Sequence, residues 1–131
     1  MFESAGLSYN PPPEVVPNTR SALRLTELAR DLELHRPFHD RLMDAYWAEA
    51  CDLGDRDTLR ELARELGLLE AEVERVLAGD AYFDRVETST QRALSLGVTG
   101  VPAWLLDGRL LVLGAQPREL FEQAFARLAA A

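Results

Sequence analysis

From residue 18 to about residue 96, apolar side chains recur at helical spacing; the pattern then breaks into two short apolar runs and one last helical stripe. Ala22, Leu25, Leu28, Ala29 and Leu32 share one face of a first helix, and Asn18 is the residue suited to cap it. Pro37 fits the first position of a second helix, where a missing N–H costs nothing, and Phe38, Leu42, Ala45, Tyr46 and Glu49 form its stripe. Asp55 caps a third, with Leu59, Leu62, Ala63 and Leu66 inward and Gly67 closing it. A short fourth carries Val73, Val76 and Leu77 and stops at Gly79. Asp80 caps a fifth, which turns Phe83, Val86, Thr90, Ala93 and Leu94 inward as far as Gly97. Helices with connections this short predict a compact bundle.

Beyond Gly97 the period changes. Residues 103–106 and 109–113 flank Asp107-Gly108, the dipeptide of a two-residue type I′ hairpin. Both runs are apolar on both faces, as in a sheet covered on each side. Gln116 and Pro117 open a final helix with Leu120, Phe121, Ala124, Phe125 and Leu128 inward. A lone two-stranded hairpin is marginal. The sequence supplies no third strand, so either a partner chain completes the sheet or part of the protein lies elsewhere. At the other end, residues 2–7 read as the last turn of a helix with Gly6 in the left-handed position, or as a frayed terminus. Residues 9–17 are too proline-rich for a helix or a central strand. The expected organisation is a lead-in over 1–17, a helical domain over 18–96 and a ββα unit over 97–131.

At 131 residues the chain is one domain's length. A net charge of −8 argues against nucleic acid or an anionic membrane as partner, because both need a basic face. No apolar run approaches the ~20 residues of a membrane span. No signal peptide is visible and the only cysteine is Cys51, so a cytoplasmic location is expected. Cys51 has no lysine, histidine or helix start beside it and reads as a packing residue. His35 and His39 have a zinc-like i, i+4 spacing, but Pro37 between them places His35 ahead of the helix, and no third ligand stands near. Asp52, Asp55 and Asp57 echo a calcium loop whose glycine and closing glutamate are misplaced, and capping accounts for Asp55 better. Neither a metal nor a cofactor is expected.

The clearest signal is Leu96-Gly97-Val98-Thr99-Gly100-Val101-Pro102, then a strand, Asp107-Gly108-Arg109, a second strand, and Gly114-Ala115-Gln116-Pro117 opening a helix. With Pro17-Asn18-Thr19 and the segment 49–55, this combination resembles the DsbA-like thioredoxin-fold family. It is most similar to the FrnE-like branch of dithiol–disulfide oxidoreductases or isomerases, whose kin are 2-hydroxychromene-2-carboxylate isomerases and kappa-class glutathione transferases. The resemblance implies an α+β, mostly helical chain: an inserted helical bundle followed by the β-β-α half of a thioredoxin-like fold. The family's N-terminal β-α-β unit, which carries Cys-x-x-Cys, is absent from these residues. It also implies that Thr99, Val101 and Pro102 form a loop holding a thiol or disulfide peptide, or glutathione, with a cis bond before Pro102. No catalytic residue carries over.

Three functions are consistent with that reading. The chain is the C-terminal part of a DsbA-like oxidoreductase, inactive in redox chemistry alone; or a non-catalytic protein that dimerises or binds a partner through its strand edge; or the remnant of a glutathione-dependent isomerase relative.

Overall fold

A computed structural model of the chain describes residues 3–10 and 16–130. Backbone contacts divide it into two compact units, Met1–Glu87 and Thr88–Ala131. The residues 11–15 of the proline-rich lead-in lie outside the described part, as does Phe2 of the first predicted turn. That turn is a short 3₁₀ segment, Glu3–Ala5, followed by Gly6 at φ +70°.

The first unit contains helices α1 (Arg20–Asp31), α2 (His35–Trp47), α3 (Arg56–Glu65) and α4 (Glu70–Ala78). Their apolar stripes meet in one core, in which Leu25, Phe38, Leu59 and Val76 are the largest fully buried side chains. Leu53 and Leu68, from the connections before α3 and α4, are buried with them. Burial of each large side chain contributes roughly 1.5–3 kcal/mol, which makes this cluster the main source of the unit's stability. Asp55 caps α3 as expected: its carboxylate accepts from the Thr58 N–H at 2.7 Å. Gly67, at φ +77°, ends that helix in the left-handed conformation.

Several boundaries differ from the sequence reading. The cap of α1 is Thr19; Asn18 stands one residue earlier, its side chain accepting from the Arg20 N–H at 3.1 Å. Leu32 falls after the last turn of α1 and is exposed, while Thr26 is buried, its hydroxyl satisfied by donating to the Ala22 carbonyl at 2.9 Å. Helix α2 starts two residues before Pro37, which sits third in the first turn, where its lack of an N–H is still harmless. His35 is therefore inside the helix. Glu49 lies beyond the end of α2 and pairs with Arg41 at 2.9 Å instead of facing the core.

Helix α5 (Phe83–Ser95) starts three residues after Asp80, whose carbonyl accepts from the Phe83 N–H at 3.0 Å. None of its residues is buried, and Phe83 and Leu94 are exposed, contrary to the expected inward stripe. The helix crosses the division between the two units, so no one core takes its whole face.

The second unit holds β1 (Ala103–Leu106), β2 (Leu110–Leu113) and α6 (Arg118–Ala129). The strands pair antiparallel, Ala103 with Leu113 and Leu106 with Leu110, so three residues separate the last pair rather than two. Asp107 and Gly108 both adopt positive φ, as a type I′ turn requires, and the Arg109 N–H donates to the Leu106 carbonyl at 3.1 Å. Arg109 is thus the extra residue, a bulge at the turn that shifts the start of β2 by one. On the face shared by Trp104 and Val112, the Trp104 ring meets Phe121 of α6 edge-on at 5.6 Å. Val112 and Ala124 are the buried residues of this unit. Leu120 and Phe125, expected inward, are exposed, because a two-stranded sheet covers only part of a helix face.

Candidate functional site

The loop joining α5 to β1 is built by two devices. Gly97 takes φ +84° and accepts the end of α5: its N–H donates to the Leu94 carbonyl at 2.9 Å, and the Val98 N–H reaches the Ala93 carbonyl at 3.0 Å. A side chain at Gly97 would be strained by that φ. At the far end, the Pro102 carbonyl accepts from the Gly114 N–H at 2.8 Å, which ties the loop to the strand pair. The Val101–Pro102 peptide bond is cis.

Between these anchors the chain faces outward. Thr99, Val101 and Pro102 are all exposed, Val101 at 92%. No hydrogen bond among the described residues engages Thr99 or Val101. Fixed ends with unsatisfied backbone between them leave donors and acceptors open to an extended chain. The three residues named from the sequence therefore stand together on one exposed loop.

The other candidates lie apart from it in sequence and do not join into a reactive group. The Cys51 N–H donates to the Ala45 carbonyl at 2.8 Å, and its thiol lies 3.8 Å from Glu49 Oε2. Burial and the neighbouring Glu49 carboxylate push the Cys51 thiol up from its ordinary range, the opposite of what a nucleophile needs. Cys51 is unpaired. His35 and His39 stack at 6.2 Å between ring centroids, and His35 Nε2 lies 3.0 Å from an Arg30 nitrogen. Among the described residues no three histidine, cysteine or carboxylate side chains converge as metal ligands. Asp52 accepts from the Gly54 N–H at 2.7 Å and Asp57 pairs with Arg60 at 2.6 Å, so these carboxylates serve turns and ion pairs. Among the described residues no helix is long and apolar enough to cross a membrane.

Sequence reasoning missed a groove of about 410 Å³ in the second unit, between β2 and α6. Leu120, Ala124 and Arg127 border it on the helix side. Their spacing of four and three residues is visible in the sequence, but only the pairing of strand with helix turns it into a concave surface.

Residues 2–126 match the profile of the DSBA-like thioredoxin domain. A probable DsbA oxidoreductase from Streptomyces coelicolor superposes with a TM-score of 0.84 at 35% identity, covering 95% of this chain and 54% of that one. An uncharacterized protein of Bacillus subtilis strain 168, YwbO, is 28% identical over 126 residues, 95% of this chain and 62% of its own length. The chain thus spans a little over half the length of the relatives it matches.

Proposed function

Since the chain belongs to the DSBA-like thioredoxin domain family, we propose that it is the substrate-holding, C-terminal portion of a thiol–disulfide oxidoreductase of the FrnE-like branch. Residues 97–102 are its working element. Thr99, Val101 and Pro102 receive an extended thiol or disulfide peptide, or glutathione, along the unbonded backbone of the loop. The observation that carries this reading is that loop: exposed, anchored at Gly97 and Pro102, and without hydrogen bonds at Thr99 and Val101.

The chain contains one cysteine and no Cys-x-x-Cys. Disulfide exchange forms a mixed disulfide and needs a second thiolate to resolve it. Cys51, its thiol pushed up and beside Glu49, supplies neither a ready nucleophile nor a resolving partner. Its share of the function is therefore binding and orientation, and the single unpaired cysteine suits a reducing compartment such as the cytoplasm.

The test has two arms. Insulin reduction by the chain with dithiothreitol should match a protein-free control, and Cys51→Ser should change nothing. Titration with oxidised glutathione or a cystine-containing peptide should shift the amide resonances of Thr99 and Val101. Turnover lost on Cys51→Ser, or shifts absent from 97–102, would overturn the reading. A second reading, self-association through the outer edge of β1, is favoured by the exposure of Trp104 and Leu105.

A further inference from the structure

We propose that the groove between β2 and α6 binds the C-terminal end of an extended apolar peptide, added as a strand to β2, with its terminal carboxylate on Arg127. This site lies on the second unit alone and does not depend on the loop at 97–102.

Strand pairing decides which backbone groups are available. The Gly114 N–H donates to the Pro102 carbonyl, and the register runs from Ala103 opposite Leu113 to Leu106 opposite Leu110. In an antiparallel ladder hydrogen-bonded pairs alternate, so Leu110 and Val112 spend their backbone groups on β1 while those of Leu111 and Leu113 point away from it. The Leu113 carbonyl is already taken by the Gln116 side-chain amide at 2.8 Å. The Leu111 N–H and carbonyl and the Leu113 N–H remain, on a strand whose outer edge has no partner among the described residues. Such an edge is a template for a further strand.

Direction and charge then select the occupant. Helix α6 follows β2 after a short turn and lines the groove through Leu120, Ala124 and Arg127. The eight residues from Leu120 to Arg127 rise about 12 Å. The four residues of β2 extend about 13 Å, so floor and wall match in length. A strand added antiparallel to β2 runs from its Leu113 end to its Leu110 end, and finishes at the far end of the groove from Gln116. Arg127 closes that end. It is exposed and makes no ion pair or hydrogen bond among the described residues, whereas Arg109 and Arg118 of the same unit are each paired with a carboxylate. An apolar floor, a free strand edge and an unpaired guanidinium at one end fit a hydrophobic peptide terminus, the guanidinium taking the carboxylate in a two-pronged bond.

The test uses the whole chain and the peptide acetyl-Thr-Val-Thr-Val-Leu, as the free acid, as the C-terminal amide, and with alternate amides N-methylated. The free acid should bind about tenfold more tightly than the amide, and Arg127→Gln should erase that difference without altering the amide's affinity. Methylation of one alternate set of amides should abolish binding and of the other set leave it, the mark of strand addition. Amide resonances of Leu111 and Leu113 should move. Equal affinity for acid and amide, tolerance of both methylation patterns, or no binding at millimolar peptide would overturn the proposal. So would a dimer at micromolar concentration with protected β2 amides that excludes the peptide, which would give the groove to a second copy.

Discussion

At the scale of single residues, the reactivity of Cys51 follows from its neighbours. Burial and Glu49 raise its pKa, with Arg41 only partly opposing them. Less thiolate is present at neutral pH, so iodoacetamide should modify Cys51 several-fold more slowly than it modifies glutathione at pH 7.5, a difference read by mass spectrometry of the intact protein. Glu49→Gln should narrow the gap. A folded pKa raised above the unfolded one also means that the thiol's contribution to stability is present below the unfolded pKa and lost as pH rises through the folded one. Asp55 shows the reverse case: the Thr58 backbone N–H and hydroxyl hold its carboxyl below the usual range. Asp55→Ala should lower the melting temperature of the first unit, and Asp55→Asn should restore part of it, because an amide oxygen still accepts from the Thr58 N–H.

Among the elements, α1 to α4 hold together by apolar packing and are fastened at the rim by ion pairs. Arg41 bridges Glu49 and Glu65, and Arg60 bridges Asp57 and Glu74. Arginine pairing of this kind lowers the pKa of Asp31, Glu61, Glu65 and Glu74, as the Thr58 cap lowers that of Asp55. Each such group adds stability above its unfolded pKa near 4 and loses it as pH falls through the lower folded value. Helical signal by circular dichroism should therefore hold from pH 7 to about 5 and decline as the pH drops below 4, with a midpoint that high salt shifts upward. The core is the larger factor. Phe38 is fully buried, and Phe38→Ala should cost about 3–5 kcal/mol in urea unfolding, against a small effect for the exposed Phe83.

For the whole molecule, the two units differ in how much they bury. The continuous core lies entirely within the first, while Val112 and Ala124 are the buried residues of the second. Local opening is easiest where few apolar contacts must be broken. Hydrogen exchange should accordingly leave α1 to α4 protected longest and release the hairpin amides of 103–113 first. If the outer edge of β1 pairs with a second copy, sedimentation at micromolar concentration should show a dimer that Leu105→Arg dissociates, and the hairpin amides should then gain protection.

The periodicity of the chain was sufficient for the existence and order of the helices and the two strands, because helical and extended stripes are local properties of apolar spacing. The loop was legible in part: Gly97 admits the positive φ that ends α5, while the cis bond before Pro102 was expected only from the family resemblance. Its family resemblance also held, since the DsbA-like match spans residues 2–126. Burial was another matter. The stripe of α5 and the outer residues of α6 look as apolar in sequence as that of α1, yet Leu94 and Phe125 are exposed and Leu25 is fully buried. A stripe states only that a side chain can be buried; whether it is depends on what packs against it. The bulge at Arg109 and the groove closed by Arg127 likewise arise from how neighbouring elements pair and pack, which the spacing within each element does not encode.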